Sequence, residues 1–242
     1  MSVVVPAYDE QGRIEDSLLK IKAYMQDAGL GFEIVVVDDG SRDRTPEIVA
    51  EFARNDPRIK LVQNRRNLGK GAAVRNGVRS SRGDVVLFSD ADLSTPIQEF
   101  ENLLAWIDSH ELVIASRSLP DSKVLVHQPF YREMMGRTYN VFVRTLLVRG
   151  LIDTQCGFKL MTRRAADAIF RLQRINSFSF DVEMILIARK MGYSVKEVPV
   201  QWVNSRASKV HPVLDSVQML LDLFRIKFYD ISGFYGKRVE RE

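Results

Sequence analysis

The chain has 242 residues, 45% of them hydrophobic and 27% charged, with a formal net charge of +4. That is enough for one sizeable α/β domain with an appendage and too little for two independent enzymes; the mildly basic balance speaks to partners, not fold. A single cysteine, Cys156, excludes an intrachain disulfide framework and a cysteine-rich zinc site, and it fits a reducing compartment.

Met1 runs straight into an apolar segment without a basic leader, so no secretory signal is expected there. No stretch reaches the roughly 18 apolar residues of a spanning helix, so any membrane contact is expected at the surface. Short β-branched runs then alternate with helical patterns. Strands are predicted over 2–6, 33–37, 59–62, 84–89 and 112–115. Helices are predicted over 14–25, 45–53, 71–79 and 97–107; in the first, Ile14, Leu18, Ile21 and Met25 recur at helical spacing. The strands are almost continuously apolar, as expected where helices cover both faces of a sheet. Strand–helix–strand repeats with right-handed crossovers predict an α/β, doubly wound and mostly parallel sheet. Beyond Pro120 the pattern gives a helix over 131–148 carrying Arg132, Arg137 and Arg144, and a polar strand or loop over 153–161. Helices over 163–171 and 180–191, a strand over 195–203 and an amphipathic helical pattern over 213–234 follow. The organisation divides into a domain over 1–205 and C-terminal amphipathic helices over 206–242.

Ligands of doubly wound sheets bind beyond the carboxyl ends of the strands, and the unusual polar residues of this chain collect there. Asp90-Ala91-Asp92 ends the fourth strand; residues i and i+2 of an extended segment point the same way, so both carboxylates can face one ligand. Such hard oxygens, with Ser94 nearby, suit Mg²⁺ or Mn²⁺, although an Asp-x-Asp also occurs as a surface or capping element. Asp38-Asp39-Gly40-Ser41 reads either as a capped turn or as carboxylates that accept from a base N–H or a ribose hydroxyl. Asn64-Arg65-Arg66-Asn67-Leu68-Gly69-Lys70-Gly71 leads into a helix, where backbone N–H groups and Lys70 favour an anion unless the glycines serve only the turn. The first strand continues into Pro6-Ala7-Tyr8-Asp9-Glu10 without the glycine-rich turn of dinucleotide oxidoreductases.

Taken in order and spacing, Val4-Val5-Pro6-Ala7-Tyr8-Asp9-Glu10, Val36-Val37-Asp38-Asp39-Gly40-Ser41, Asn67-Leu68-Gly69-Lys70-Gly71 and Asp90-Ala91-Asp92 resemble the motifs of family 2 glycosyltransferases. Ala115-Ser116-Arg117, Thr154-Gln155-Cys156-Gly157-Phe158-Lys159, Phe180-Asp181-Val182-Glu183 and Ser208-Lys209-Val210 are similar to the branch of dolichyl-phosphate glucosyltransferases and mannose synthases. The resemblance spans nearly the whole chain. It implies a GT-A fold and an inverting transfer from a nucleotide sugar to a polyprenyl phosphate. It further implies nucleotide-sugar contacts from Pro6, Ala7, Tyr8, Glu10, Asp38, Asp39, Lys70, Asp90, Ala91 and Asp92. Metal binding falls to Asp92 with Ser94, and acceptor-phosphate contacts fall to Arg117 and Arg132. Mannose synthases often carry glutamine at the position of Ser94, so UDP-glucose is expected ahead of GDP-mannose. Gly136 stands where that branch has a serine near the acceptor.

A phosphate acceptor is already ionised near neutral pH and needs positioning more than deprotonation. His110, His127 and His211 accordingly lie in unrelated contexts, and Asp181 or Glu183 either assists as a base or is structural. Catalysis is expected from Asp90, Asp92 and Asp181. The C-terminal stripe of Val213, Leu214, Val217, Leu220, Leu221, Phe224, Phe228 and Ile231, with Arg225, Lys227, Lys237, Arg238 and Arg241 alongside, can lie on an anionic membrane, pack on its own domain or meet a second copy in a homo-oligomer. The expected place is the cytoplasm, peripheral at the cytoplasmic face of a membrane. Aromatics are not interleaved with the basic residues, so no nucleic-acid partner is expected. The competing readings are a transferase for a soluble or polysaccharide acceptor and a non-catalytic nucleotide-sugar-binding subunit.

Overall fold

β-branched runs form strands here because both sheet faces are covered: Val3, Val4 and Val5 in the first strand and Val35 and Val36 in the second are fully buried. The computed structural model describes residues 1–204 and 214–236. Ser208-Lys209-Val210, His211, Val213, Lys237, Arg238 and Arg241 lie outside the described residues.

The first half runs β1 (Ser2–Ala7), α1 (Ile14–Asp27), β2 (Glu33–Asp38), α2 (Thr45–Asn55), β3 (Ile59–Gln63), α3 (Lys70–Ser80) and β4 (Val85–Ser89). The second half holds β5 (Leu112–Ser116), β6 (Lys123–Val126), α5 (Phe130–Leu146), β7 (Phe158–Thr162), α6 (Arg163–Leu172), α7 (Phe180–Lys190), β8 (Val195–Pro199), β9 (Gln201–Val203) and α8 (Leu214–Ile231). Between the halves lies the short α4 (Phe100–Leu104).

Seven strands form one sheet in the order β3-β2-β1-β4-β7-β5-β8. Its neighbours pair in parallel except around β7, which runs antiparallel to both β4 and β5. Successive residues of a strand point to opposite faces, and two cores result. Val4, Phe88 and Ile114 join α3, α5, α6, α7 and α8 on one face. Val3, Val5, Leu87 and Val113 join α1 and α2 on the other. The chain reverses direction across the sheet between β1 and β4, so the ligand-binding crevice of a doubly wound sheet falls at the ends of those two strands.

Four expectations change in detail. The helix predicted over 97–107 is a 3₁₀ turn (Ile97–Glu99) followed by α4, and it closes in a series of tight turns. The strand predicted over 195–203 breaks at Val200: β8 stays in the main sheet, whereas β9 pairs with β6. Val200 is the joint between the two: its N–H still bonds the Ser116 carbonyl of β5, whereas its carbonyl accepts from the Lys123 N–H of β6. Pro199, which lacks an N–H, sits on the edge strand, where that loss is tolerated. The polar 153–161 stretch is a loop as far as Gly157 and becomes β7 only from Phe158. β6 is a largely exposed strand that the apolar pattern did not announce.

Among the described residues no helix is long and apolar enough to cross a membrane. α8 instead buries Asp222, Leu223 and Ile226 against the domain. The apolar stripe read from the sequence is its outward face: Leu214, Val217, Leu221, Phe224, Phe228 and Ile231 are exposed.

Candidate active site

At the end of β4 the chain turns sharply. Leu93 adopts a positive φ of 46°, its N–H bonds the Asp90 carbonyl, and the Ser94 N–H donates to Asp92 Oδ1 at 2.9 Å. A left-handed conformation at a leucine is strained, and the turn is pinned from outside. The Asp90 N–H donates to the Gly157 carbonyl at 3.0 Å, and the Val203 N–H donates to the Ser94 carbonyl at 2.7 Å. Gly157 also explains the place of the Asp90 side chain, since a Cβ there would lie 1.9 Å from Asp90 Oδ2. The turn therefore presents the Asp90 and Asp92 carboxylates half-buried at the crevice. Ala91 sits within the apolar core, and its carbonyl accepts from Ser17 Oγ at 2.6 Å.

Lys70, the first residue of α3, closes onto this turn: its Nζ lies 2.7 Å from Asp90 Oδ1. Burial alone would lower the Lys70 ammonium, but the charges of Asp90 and Asp181 outweigh it and the net direction is upward. The loop before Lys70 is tied to the end of β2 by Asp39, which accepts from Asn64 Nδ2 (2.7 Å), the Leu68 N–H (3.0 Å) and the Gly69 N–H (2.8 Å). Asp39 is thus the anchor of the lysine loop. Asp38 is buried and accepts from the Ser41 N–H, closing the turn at Gly40. Gly40 has a φ of +74°, and a Cβ there would lie 2.5 Å from the Arg66 backbone, so only glycine fits.

The end of β1 is organised in the same manner. Asp9 has a positive φ of 53°; its carboxylate accepts from the Arg42 N–H and its own N–H donates to Ser41 Oγ. Glu10 is buried, its N–H donates to Thr45 Oγ1 at 2.7 Å, and its carboxylate pairs with Arg13. Arg13 Nη1 also lies 3.9 Å from Asp92 Oδ2. Pro6 and Tyr8 are half-buried beside the buried Ala7.

Asp181 does not open onto this crevice as a free base. It is buried in the first turn of α7 and accepts from Lys159 Nζ at 2.6 Å, while Lys159 also donates to the Cys156 carbonyl. Burial pushes the Asp181 carboxyl up, against the pull of Lys159 and Lys70. The Phe88 ring stands beside both ammonium groups, 5.3 Å from Lys70 Nζ and 5.7 Å from Lys159 Nζ. Glu183 is also buried, and among the described residues it accepts from backbone N–H groups and the Tyr235 hydroxyl.

On the other side, Arg117 follows β5. Its Nε and Nη2 form a fork on the buried Asp153 at 2.7 and 2.9 Å, and its guanidinium stacks 5.4 Å from the Trp202 ring. Burial alone would raise the Asp153 carboxyl, but the charge and hydrogen bonds of Arg117 hold it at about 2. Asp153 takes two of the three guanidinium nitrogens, and Nη1 has no hydrogen bond among the described residues. Arg132, half-buried on α5, has no ion pair among the described residues. His127 is exposed; His110 is half-buried, and its Nδ1 meets Ser109 Oγ at 2.9 Å beside the Trp106 ring.

The oxygen donors at this turn suit a divalent cation only in part. Asp90 is engaged by Lys70, which leaves Asp92, partly exposed and oriented by the Ser94 N–H, with the Ser94 hydroxyl close by in sequence. No cluster of three His, Cys, Asp or Glu side chains that could hold a metal occurs among the described residues. One carboxylate and a hydroxyl fit a hard cation that takes its remaining ligands from phosphate oxygens and water, as Mg²⁺ does at phosphate-bearing substrates.

A model of glycosyl transferase family 2 matches residues 2–170. The chain belongs to glycosyl transferase family 2. A family 2 relative from Dictyostelium discoideum, a dolichyl-phosphate beta-glucosyltransferase, is 37% identical over 97% of this chain and 76% of its own length. The human dolichyl-phosphate beta-glucosyltransferase is 31% identical over 96% of this chain and 76% of its own length. Among solved structures, glucosyl-3-phosphoglycerate synthase from Mycobacterium tuberculosis with Mn²⁺, UDP-glucose and phosphoglyceric acid superposes with a TM-score of 0.68, covering 94% of this chain and 79% of that one. At 19% identity that likeness establishes the GT-A fold. For this family 2 enzyme the sequence reading passed over Arg13 and Asp153, and it quoted Gly157 and Lys159 within a motif without giving either a role at the candidate site. Lys159 carried a signal, being a lone charge inside the apolar run of β7.

Proposed function

We propose that this chain is an inverting hexosyltransferase that moves glucose from UDP-glucose onto a polyprenyl phosphate of the dolichyl type, at the cytoplasmic face of a membrane. One observation carries the reading: at the switch point of the sheet the lysine loop meets the Asp90-Ala91-Asp92 turn, with Lys70 Nζ 2.7 Å from Asp90. A cation and hard oxygen ligands thus converge where a donor diphosphate would lie. The sugar and the acceptor come from the relatives named dolichyl-phosphate beta-glucosyltransferase, which align along nearly the whole chain.

Glycosyl transfer builds oxocarbenium character on the sugar and negative charge on the departing diphosphate. Lys70 is placed to stabilise that charge, exchanging Asp90 for a phosphate oxygen while Asp90 turns to the sugar. When bound at Asp92 and Ser94, Mg²⁺ or Mn²⁺ supplies Lewis-acid neutralisation of the same diphosphate. Pro6, Ala7, Tyr8, Glu10, Asp38 and Asp39 form the nucleotide wall, with Asp39 acting through the lysine loop it anchors. Arg117 Nη1 and Arg132 hold the acceptor phosphate, a task that suits guanidinium groups. The acceptor oxygen attacks already ionised, so Asp181 serves by holding Lys159 beneath the site. Direct attack opposite the diphosphate inverts the anomeric carbon.

Exposed Phe130, Met134 and Phe142 on α5, with Phe224, Phe228 and Ile231 on α8, form the apolar face for the membrane. The two helices pack on each other, and Arg132, Arg137, Arg225 and Lys227 lie on them. Such a face binds anionic bilayers without crossing them. An acceptor panel tests the reading. Polyprenyl phosphate should be glucosylated, whereas the uncharged polyprenol and a water-soluble phosphorylated acceptor should not. Preference for the soluble acceptor would overturn the lipid assignment.

A further inference from the structure

The lysine loop is held from two sides. Asp39 fixes it from the sheet, and the 173–179 segment, which joins α6 to α7, closes it from outside. The Gly71 N–H donates to the Asn176 carbonyl at 2.7 Å. A Cβ at Gly69 would lie 2.4 Å from that same oxygen, and one at Gly71 would lie 2.3 Å from the Ile175 carbonyl. Two carbonyls therefore lie flush against the two glycines that flank Lys70. Any shift of this segment moves the backbone from which Lys70 reaches Asp90.

What holds the segment is mostly remote from the donor. Glu183, in the first turn of α7, accepts from the Arg174 N–H at 2.9 Å and the Ile175 N–H at 2.7 Å. Its remaining donor is the Tyr235 hydroxyl at 2.6 Å, which comes from the turn beyond α8. Ser177 Oγ bonds Asp222 of α8, Ser179 Oγ donates to the Met219 carbonyl of α8 at 3.2 Å, and Tyr139 of α5 meets Ser179 Oγ at 2.9 Å. On the donor side, Arg75 of α3 reaches Gln173 Oε1 at 2.6 Å and Asn176 Oδ1 at 2.9 Å. The 173–179 segment is thus bonded along one side to α3 and along the other to the two helices that carry the exposed apolar face.

We infer that this segment couples the C-terminal helix to the lysine loop, with Glu183 and Tyr235 as positioning residues for donor binding. The inference rests on the donor reading given above and extends it: seating α8, by its own packing or on a membrane, sets how well the loop receives the nucleoside diphosphate. A buried carboxylate with three donors holds one geometry firmly, and loss of one donor loosens it, because a buried polar atom without a partner is costly.

The test uses the full chain with UDP and Mn²⁺ as the probe. Tyr235→Phe removes one hydroxyl and keeps the ring; Glu183→Gln keeps the shape but cannot accept from all three donors. Calorimetry should show UDP affinity falling by about three- to ten-fold in each, within the range of coupling modulated by residues that touch neither ligand. The KM for polyprenyl phosphate should stay within about two-fold. Should Glu183→Gln fail to fold, Tyr235→Phe decides alone. A folded Tyr235→Phe protein that binds UDP like the wild type overturns the inference, and so does an equal loss for donor and acceptor, which marks general destabilisation. Wild-type protein that binds UDP yet leaves polyprenyl phosphate untouched would sink the acceptor assignment, while the UDP comparison still decides the coupling. Wild-type protein that binds no UDP would overturn both.

Discussion

On the donor side Asp39 gathers three donors of the lysine loop, Gly157 makes room for Asp90, and Lys159 is buried against Asp181. On the proposed acceptor side Phe130, Phe224 and Phe228 stand 78%, 64% and 69% exposed, and Arg132 has no ion pair among the described residues. Among the described residues, the first region has its polar groups paired within the fold, whereas the second ends in exposed apolar side chains and an arginine without an ion pair. The difference matches the two substrates proposed. In the proposed reaction a soluble nucleotide sugar would enter a pre-organised crevice, whereas a lipid phosphate would arrive from a membrane surface that the exposed face would contact. Arg117 stands between the regions, because its fork on Asp153 belongs to the packed interior while Nη1 has no hydrogen bond among the described residues.

Breaking the donor side should have the largest effect. Asp92→Ala should lower kcat/KM by at least about a hundred-fold, the scale of losing one preorganised electrostatic group. Steady-state transfer by the purified variant checks this. Gly157→Ala forces the Asp90 carboxylate aside, and a misplacement of about 1 Å is expected to reduce transfer by about a hundred-fold. The same assay, with circular dichroism to confirm folding, decides it.

Two arginines sharpen the comparison. Arg117→Ala should raise the acceptor KM and also destabilise the fold by about 3 kcal/mol, since it strands the buried Asp153 charge. Arg132→Ala should raise the acceptor KM without that loss; urea unfolding alongside acceptor kinetics separates the two. Asp153 adds a pH signature. Its folded carboxyl sits at about 2 against an ordinary 3.8, so its stabilisation is present above the ordinary value and is lost as pH falls through about 2. Unfolding midpoints measured between about pH 2 and 5 should show that slope in the wild type and a shallower one in Asp153→Asn. The smallest effect on the fold belongs to the exposed face. Phe224→Ser with Phe228→Ser should change stability by less than about 0.5 kcal/mol per site, while sedimentation with anionic vesicles should show weaker binding.

Much of this was legible in the chain itself. The β-branched runs gave the strands, and the polar residues at their ends marked where Asp38, Asp39, Lys70, Asp90 and Asp92 come together, because local pattern and sheet topology agree there. The antiparallel course of β7 was not legible, since strand direction depends on long-range pairing with β4 and β5 that no local pattern encodes. The anchoring role of Asp39 was also hidden: its three donors lie 25 to 30 residues away. The break at Val200 was not legible either, since it depends on the pairing of its carbonyl with Lys123 of β6. The 173–179 segment had none, because its polar groups meet α3 and α8 only in the folded chain.

The most direct measurement is transfer of labelled glucose from UDP-glucose to a short polyprenyl phosphate, with Mn²⁺ present or removed by EDTA. The account predicts a lipid-linked glucose that appears only with the metal. Label remaining in UDP-glucose although the protein binds UDP, or transfer undiminished by EDTA, would contradict it.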